Sequence, residues 1–139
     1  MSKEIKEVAV HPVVLLSVVD HYYRLVKETS RRVIGVLLGE VIGDKVDITN
    51  CYALPFEEDP KDKKVWFVDH IYNEQMFEMH QKINYKEKIV GWYSSGPKIR
   101  PHDIEIHEVF RKYTPNPVFV IIDVQEKTVN FLIFLCFFF

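Results

Sequence analysis

Cysteine is scarce in this sequence of 139 residues, which contains only Cys51 and Cys136. Two cysteines cannot form a disulfide framework, and their separation does not fit the ligand spacing of a zinc finger. We therefore expect the protein in a reducing compartment, the cytoplasm or the nucleus. The first twelve residues, MSKEIKEVAVHP, lack the apolar core of a signal peptide.

The sequence also lacks a large excess of either charge, because it contains 18 basic and 20 acidic residues and its net charge is -2. This balance gives no electrostatic reason to expect a nucleic acid or an acidic membrane as a partner. The hydrophobic fraction of 47% and the aromatic fraction of 14% are typical of a globular protein. The length predicts a single domain with enough chain to bury one core.

No apolar run is long enough to span a bilayer, which takes ~20 residues. The longest run, FLIFLCFFF, covers only Phe131 to Phe139. Three interpretations remain open: a last buried strand, a truncated tail anchor, or a sequence artefact such as a wrong reading frame. The run lacks the polar alternation of a half-exposed strand, which favours the artefact. We therefore predict a domain over residues 1–125 and an apolar C-terminal tail over residues 126–139.

The hydrophobic pattern predicts helices and strands in mixed order, with at least one hairpin turn at Gly43-Asp44. This order indicates an α+β (mixed α/β) fold without repeats. The predicted helices cover residues 12–27, 69–84 and 101–113. The predicted strands cover residues 31–40, 45–53, 87–95 and 118–124, and a charged loop covers residues 54–64.

The first predicted helix is apolar on more than one side. One set of its apolar residues, including Val13, Leu16 and Tyr23, follows helical spacing, and other apolar residues lie between them. The helix is either an ordinary core helix or has one face on the sheet and another on a partner. Methionine is common at binding surfaces, although it is more often a core residue. The candidate partner contacts on the first two helices are Val14, Leu15, Val18, Tyr22, Met76 and Met79.

The segment IVGWYSSGPK, residues 89–98, and the later Asp103 resemble the centre of the MPN (JAMM) domain, the fold of zinc-dependent deubiquitinases. The active members place a glutamate before a V-x-G-x-x-x-G strand, then His-x-His, then Ser-x-x-Asp. The run Val33 to Gly39, VIGVLLG, is similar to that strand. The resemblance implies an MPN fold: a curved, mainly antiparallel sheet packed with helices, similar to cytidine deaminases.

The residue types of the active family follow from its chemistry. Two imidazoles and one carboxylate hold zinc and leave the fourth position to water. The glutamate takes a proton from that water, and the serine stabilises the oxyanion.

The resemblance places Arg32 at the position of the glutamate, Ser94 and Gly96 at those of the two histidines, and Arg100 at that of the serine. Only Asp103 matches a zinc ligand, so we expect neither an enzyme nor a bound cofactor.

Arginine carries a positive charge and has no lone pair for a metal. We therefore expect Arg32 and Arg100 to repel a metal ion and to pair with Asp103. His102 and His107 lie near Asp103, but they are five positions apart, which does not match the i,i+4 spacing of one helical face. We expect them to be surface or capping histidines.

Three further segments, HPVVLLSVVDHYYR, VWFVDHIYNEQM and PNPVFVIIDV, are similar to the non-catalytic branch of the family found in the 26S proteasome regulatory particle lid. The resemblance runs from about His11 to Val124. It implies a scaffold that pairs with the active MPN deubiquitinase and contacts other lid subunits in ubiquitin-dependent degradation, in the cytoplasm and nucleus. The alternatives are a non-catalytic MPN subunit of the signalosome or of a translation initiation factor complex, and an active zinc isopeptidase with unusual ligands.

Overall fold

The fold is known from a computed structural model that describes residues 5–25, 32–58, 66–95, 103–124 and 129–134. These residues form eight strands and three helices. The strands are β1 (Glu7–Val10), β2 (Ile34–Ile42), β3 (Lys45–Leu54), β4 (Phe56–Glu58), β5 (Trp66–Val68), β6 (Lys88–Ser94), β7 (Val118–Val124) and β8 (Val129–Phe134). The helices are α1 (Pro12–Leu25), α2 (His70–Ile83) and α3 (Asp103–Phe110).

Six strands form one mixed sheet in the order β1-β3-β2-β6-β7-β8. The pairs β1/β3 and β6/β7 are parallel, and the other three pairs are antiparallel. The strands β4 and β5 form a separate two-stranded sheet. The predicted α+β fold with a mainly antiparallel sheet is confirmed.

Helices cover both faces of the six-stranded sheet. Val14 and Val18 of α1 pack on one face in a cluster that includes Tyr93. On the opposite face, Phe110 of α3 packs in a cluster with Trp92, and α2 adds partly buried side chains. Trp92 and Tyr93 point to opposite faces because successive residues of a strand alternate. The strand β6 therefore connects the two halves of the core.

Two glycines allow close packing at the centre of this sheet. A Cβ atom at Gly35 would overlap the ring of Tyr93, and a Cβ atom at Gly91 would overlap the backbone of Val118. The first glycine makes room for an aromatic ring, and the second lets β6 approach β7. These contacts explain why bulkier residues are absent at two positions of otherwise apolar strands.

Several predicted elements are confirmed. The strands β2 and β3 meet at the turn that contains Gly43, whose φ is +64°. The helix α2 begins after Asp69, whose side chain accepts a hydrogen bond of 3.0 Å from the Tyr72 amide. It ends at Ile83, one residue before the predicted end at about Asn84. The small β4/β5 sheet was not predicted, because its three-residue strands lie beside a charged segment without clear periodicity.

The two faces of α1 are the reverse of those predicted. Val14 and Val18 are fully buried, whereas Val13 is 52% and Leu16 is 70% exposed. Both sets of residues have helical spacing, so periodicity could not choose between them. The position of the sheet decides which set enters the core.

The C-terminal strand β8 pairs with β7 from Val124↔Val129 to Phe119↔Phe134. Residues 129–134 therefore belong to the sheet, and the assignment of residues 126–139 as an apolar tail stays a prediction. The end of that run, residues 135–139, lies outside the described residues. Among the described helices, none combines the length and apolar character needed to cross a membrane.

Candidate functional site

Arg32 connects β2, β6 and α3 near the end of these two inner strands of the sheet. It lies just before β2, and its Nη2 atom donates a hydrogen bond of 2.6 Å to Oδ1 of Asp103, the first residue of α3. Its Nη1 atom donates a longer hydrogen bond of 3.3 Å to Oγ of Ser94 in β6. The side chains of Arg32 and Asp103 are 2% and 0% exposed. The ion pair expected between Arg32 and Asp103 is therefore present.

The backbone around this ion pair is fixed by Ser95. The Val33 amide donates a hydrogen bond of 2.8 Å to the Ser95 hydroxyl, and the Ser95 amide donates one of 3.0 Å to the Val33 carbonyl. The reciprocal bonds continue the β2/β6 pairing past its last strand residues. They hold Arg32 and Ser94 at a fixed separation.

The described residues do not fit a zinc site. A zinc ion needs several lone-pair donors, and a guanidinium group offers none. Here the guanidinium of Arg32 forms an ion pair with the carboxylate of Asp103. Ser94 has a hydroxyl group at a position where the resemblance expects the imidazole of a histidine ligand. Within the described ranges, no three His, Cys, Asp or Glu side chains come together in a group that could hold a metal ion.

His107 lies one helical turn after Asp103 and is fully buried. Its Nδ1 atom accepts a hydrogen bond of 3.0 Å from Nε1 of Trp92. Burial, and to a smaller extent the nearby positive charge of Arg111, lowers the pKa of His107 to about 4. The imidazole is therefore neutral at pH 7, which suits an acceptor inside the core. The expectation of a surface or capping histidine at this position is wrong.

A second polar pair, which is partly buried, lies on the α1 side of the sheet. Nδ1 of His21 and the hydroxyl of Tyr93 are hydrogen-bonded at 2.9 Å. Burial lowers the pKa of His21 and raises the pKa of Tyr93 well above its ordinary value. Both groups are neutral near pH 7, so this bond connects α1 to β6 without burying a charge.

Two candidate site residues, Gly96 and Arg100, lie outside the described residues, and so does His102. The structure therefore describes three of the five positions singled out by the resemblance: Arg32, Ser94 and Asp103. Arg32 is hydrogen-bonded to each of the other two.

The candidate partner contacts fall into two groups. Val14 and Val18 are 0% exposed because they pack on the sheet, so the prediction that they face a partner is corrected. Leu15 and Tyr22 are partly buried against the same cluster. Met76 is partly buried on the opposite face of the sheet, and Met79 is 55% exposed.

Sequence reasoning missed the role of His107, although a signal was present. Asp103, Ile106, His107 and Phe110 follow the i, i+3, i+4, i+7 spacing of one helical face, and all four are buried. His107 was compared with His102, five positions away, and not with Asp103, which is four positions away and on the same helical face. The contact of Trp66 with Glu105 had no such signal, because 39 residues separate the two in sequence.

Comparison with known proteins agrees with this fold. The sequence matches the JAB1/Mov34/MPN/PAD-1 ubiquitin protease family over residues 3–116. A 26S proteasome non-ATPase regulatory subunit 7 homolog B of Arabidopsis thaliana is 60% identical over 126 residues, which are 91% of this chain and 41% of that protein.

Two other relatives have similar names. The 26S proteasome non-ATPase regulatory subunit 7 of Dictyostelium discoideum is 61% identical over 85% of this chain and 36% of its own length. The 26S proteasome regulatory subunit RPN8 of Saccharomyces cerevisiae is 49% identical over 94% of this chain and 39% of its own length. The chain thus spans well under half of the length of the curated relatives it matches. Because the family match covers most of the sequence, the chain belongs to the JAB1/Mov34/MPN/PAD-1 family.

Proposed function

We propose that the chain is a non-catalytic MPN scaffold of the 26S proteasome regulatory particle lid, which pairs with the active MPN deubiquitinase in ubiquitin-dependent degradation. The names of the relatives, at 49% to 61% identity, support the assignment to the proteasome. The chain matches only part of each relative. We therefore also propose, rather than take from the relatives, that it assembles with other lid subunits. A lid subunit works in the cytoplasm and nucleus.

The observation that carries the non-catalytic assignment is the Arg32–Asp103 ion pair. A carboxylate held at 2.6 Å by a buried guanidinium cannot also act as a free metal ligand. The arginine also stands where the resemblance places a general base, and a group with no lone pair cannot accept a proton from water. The side chain of Arg32 therefore removes two requirements of zinc-dependent hydrolysis, a free carboxylate ligand and a general base.

The surface that we propose for the partner lies on α2. Its exposed apolar side chains are Ile71 at 69%, Met79 at 55% and Ile83 at 84% exposure. They follow one another at spacings of eight and four residues, which place them along one side of the helix. Met76, which is partly buried, lies beside them. A standard interface buries ~800 Å² of each partner, and a helix of this length can supply the centre of one.

The pairing is tested by isothermal titration of the chain with an active MPN deubiquitinase subunit. The double variant Met76→Ala/Met79→Ala removes two flexible apolar side chains and should weaken binding at least tenfold. Val41→Ala is the control, because Val41 is 53% exposed on a strand far from α2 in sequence. Equal affinity of the double variant and the wild type would remove α2 from the proposed interface.

Two measurements separate the alternative functions. Zinc content near one ion per chain, lost on Asp103→Ala, would support an active isopeptidase instead of a scaffold. Co-purification from native cells with signalosome or initiation factor subunits, and without proteasome subunits, would assign the chain to a sister complex. Recovery with proteasome lid subunits and without bound zinc is the result that we expect.

A further inference from the structure

A cleft of about 400 Å³ lies between α2 and the segment that follows α3. Its apolar walls are Phe77 of α2, Ile89 of β6 and Tyr113, which lies just beyond the end of α3. Phe77 is partly buried and Ile89 is 5% exposed, so these two walls belong to the packed core. The ring of Tyr113 lies 6.3 Å from that of Phe110. The cleft is therefore formed before any ligand arrives, and its volume is within the range of ligand sites in proteins.

Two carboxylates line the same cleft on the side of α2. Glu74 and Glu78 are one helical turn apart, and both are exposed. Within the part of the chain that the structure describes, neither forms an ion pair, although Lys82 follows Glu78 by one further turn. Among the described residues, no basic side chain lines the cleft, so its negative charge is unbalanced. Exposed carboxylates by themselves would only be hydrated, and a binding site needs a further feature.

That further feature is Asn73, which lines the cleft although it is only 2% exposed. Its Oδ1 atom accepts a hydrogen bond from the hydroxyl of Tyr52. Burial raises the pKa of Tyr52, so this hydroxyl stays protonated and can donate.

The hydrogen bonds of the described residues leave Nδ2 of Asn73 without a partner. This atom is not among the fully buried polar atoms that lack a partner, so it keeps contact with the cleft that Asn73 lines. Proteins rarely leave a donor unpaired in such a buried side chain. Asn73 therefore offers a hydrogen-bond donor to a ligand in the cleft.

We propose that this cleft binds an arginine-bearing peptide segment of another protein. The negative rim selects a cation, and a planar guanidinium has enough donors to pair with both Glu74 and Glu78. The apolar walls select a ligand with an aliphatic stem, because such a stem packs on apolar surface while its charged end stays at the rim. The donor at Asn73 selects an acceptor, which a carbonyl of the peptide backbone supplies. An arginine residue within a peptide meets all three requirements.

Fluorescence anisotropy of the full chain tests the site with two labelled peptides, Ala-Leu-Arg-Arg-Leu-Ala and the same peptide with citrulline in place of arginine. Citrulline has nearly the shape of arginine but no charge. The arginine peptide should bind, and the citrulline peptide should bind about tenfold more weakly, because two partly exposed ion pairs are lost. The double variant Glu74→Gln/Glu78→Gln should weaken binding of the arginine peptide by a similar factor and leave the citrulline peptide unaffected.

The matched control is Glu40→Gln/Asp44→Asn, which removes the same amount of charge near the hairpin turn between β2 and β3. It should leave the affinity for the arginine peptide unchanged. Equal losses in this control and in Glu74→Gln/Glu78→Gln would mean general charge attraction and would overturn the proposal. A wild type that does not bind the arginine peptide would overturn it as well.

The cleft is distinct from the surface proposed for the deubiquitinase. Of the residues named for that surface, only Ile71 also lines the cleft, and Met76 and Met79 do not. Met76→Ala/Met79→Ala should therefore bind the arginine peptide as the wild type does. Because the peptide and the deubiquitinase are tested with different variants, either proposal can fail while the other holds.

Heteronuclear NMR of the isotope-labelled chain tests the role of Asn73. The signal of its side-chain NH2 group should shift when the arginine peptide is added. The side-chain signal of Asn84 is the reference and should not shift, because its Nδ2 atom already donates a hydrogen bond to Glu87 beyond the end of α2. At saturating peptide, an unchanged Asn73 signal would overturn the cleft as the place of binding.

Discussion

The carboxylate of Asp103 lies 2.6 Å from the guanidinium of Arg32, and water reaches almost nothing of either side chain. The pair connects the start of β2 to the start of α3, across 71 residues of sequence. In this chain, a salt bridge makes the connection, and its loss has measurable consequences.

Removal of one charge of the buried pair should destabilise the fold strongly. Arg32→Met leaves the Asp103 carboxylate buried without its guanidinium partner, which costs about 3–5 kcal/mol of unfolding free energy. Urea denaturation measures this loss.

The matched control for Arg32→Met is Arg24→Ala, which breaks the exposed Asp20–Arg24 pair and should cost no more than about 1 kcal/mol. The double variant Arg32→Met/Asp103→Leu should recover most of the lost stability, because no lone charge stays buried. A double variant as unstable as the single one would contradict this explanation.

Stability should fall as the pH decreases from about 6.5 toward 4 because of His107. Its pKa is about 4 in the folded state and 6.5 when unperturbed, so the unfolded chain binds a proton in this window before the folded chain does. Acid therefore favours the unfolded state, and the contribution of the neutral imidazole is complete only above pH 6.5.

Thermal unfolding across this pH window measures the effect. His107→Gln can still accept the hydrogen bond of Trp92 but does not titrate, so its melting temperature should depend less steeply on pH. The pKa of His21 is lowered too. Since His21 is present in both the wild type and His107→Gln, its contribution to the pH dependence is the same in both. Identical pH profiles would show that His107 is not the responsible group.

Gly91→Ala should disrupt the centre of the sheet. The added Cβ atom would overlap the Val118 backbone, and a backbone cannot turn aside as a side chain can. We expect a loss of at least 1–3 kcal/mol, the usual cost of overpacking. Gly43→Ala is the comparison, because open space surrounds Gly43 and only its positive φ opposes the substitution. Chemical denaturation should rank Gly91→Ala as the more damaging change.

Loss of the helix cap at Asp69 should weaken α2. Asp69→Ala removes the acceptor of the Tyr72 amide and should cost about 0.5–2 kcal/mol. Asp69→Asn keeps an acceptor oxygen and should cost much less. Circular dichroism during urea unfolding measures both values, and equal losses for the two variants would mean that the side chain does not act as a cap.

The sequence by itself determined the elements with strong local signals. Proline at the first turn set the start of α1, aspartate at the cap set the start of α2, and Gly43 set the hairpin, because each acts through its own backbone geometry. The runs around Gly35 and Trp92 carried the resemblance to the MPN family. That resemblance, which places Arg32 and Asp103 at one site, also predicted the contact between them.

Only the tertiary structure decided which apolar faces are buried and which polar residues meet. Val14 and Leu16 are equally apolar in sequence, yet the sheet buries the first and leaves the second exposed. His107 received its acceptor role from a tryptophan on another element, and burial in the core lowers its pKa. Burial and long-range contacts depend on how the strands are ordered, and local periodicity contains no information about that order.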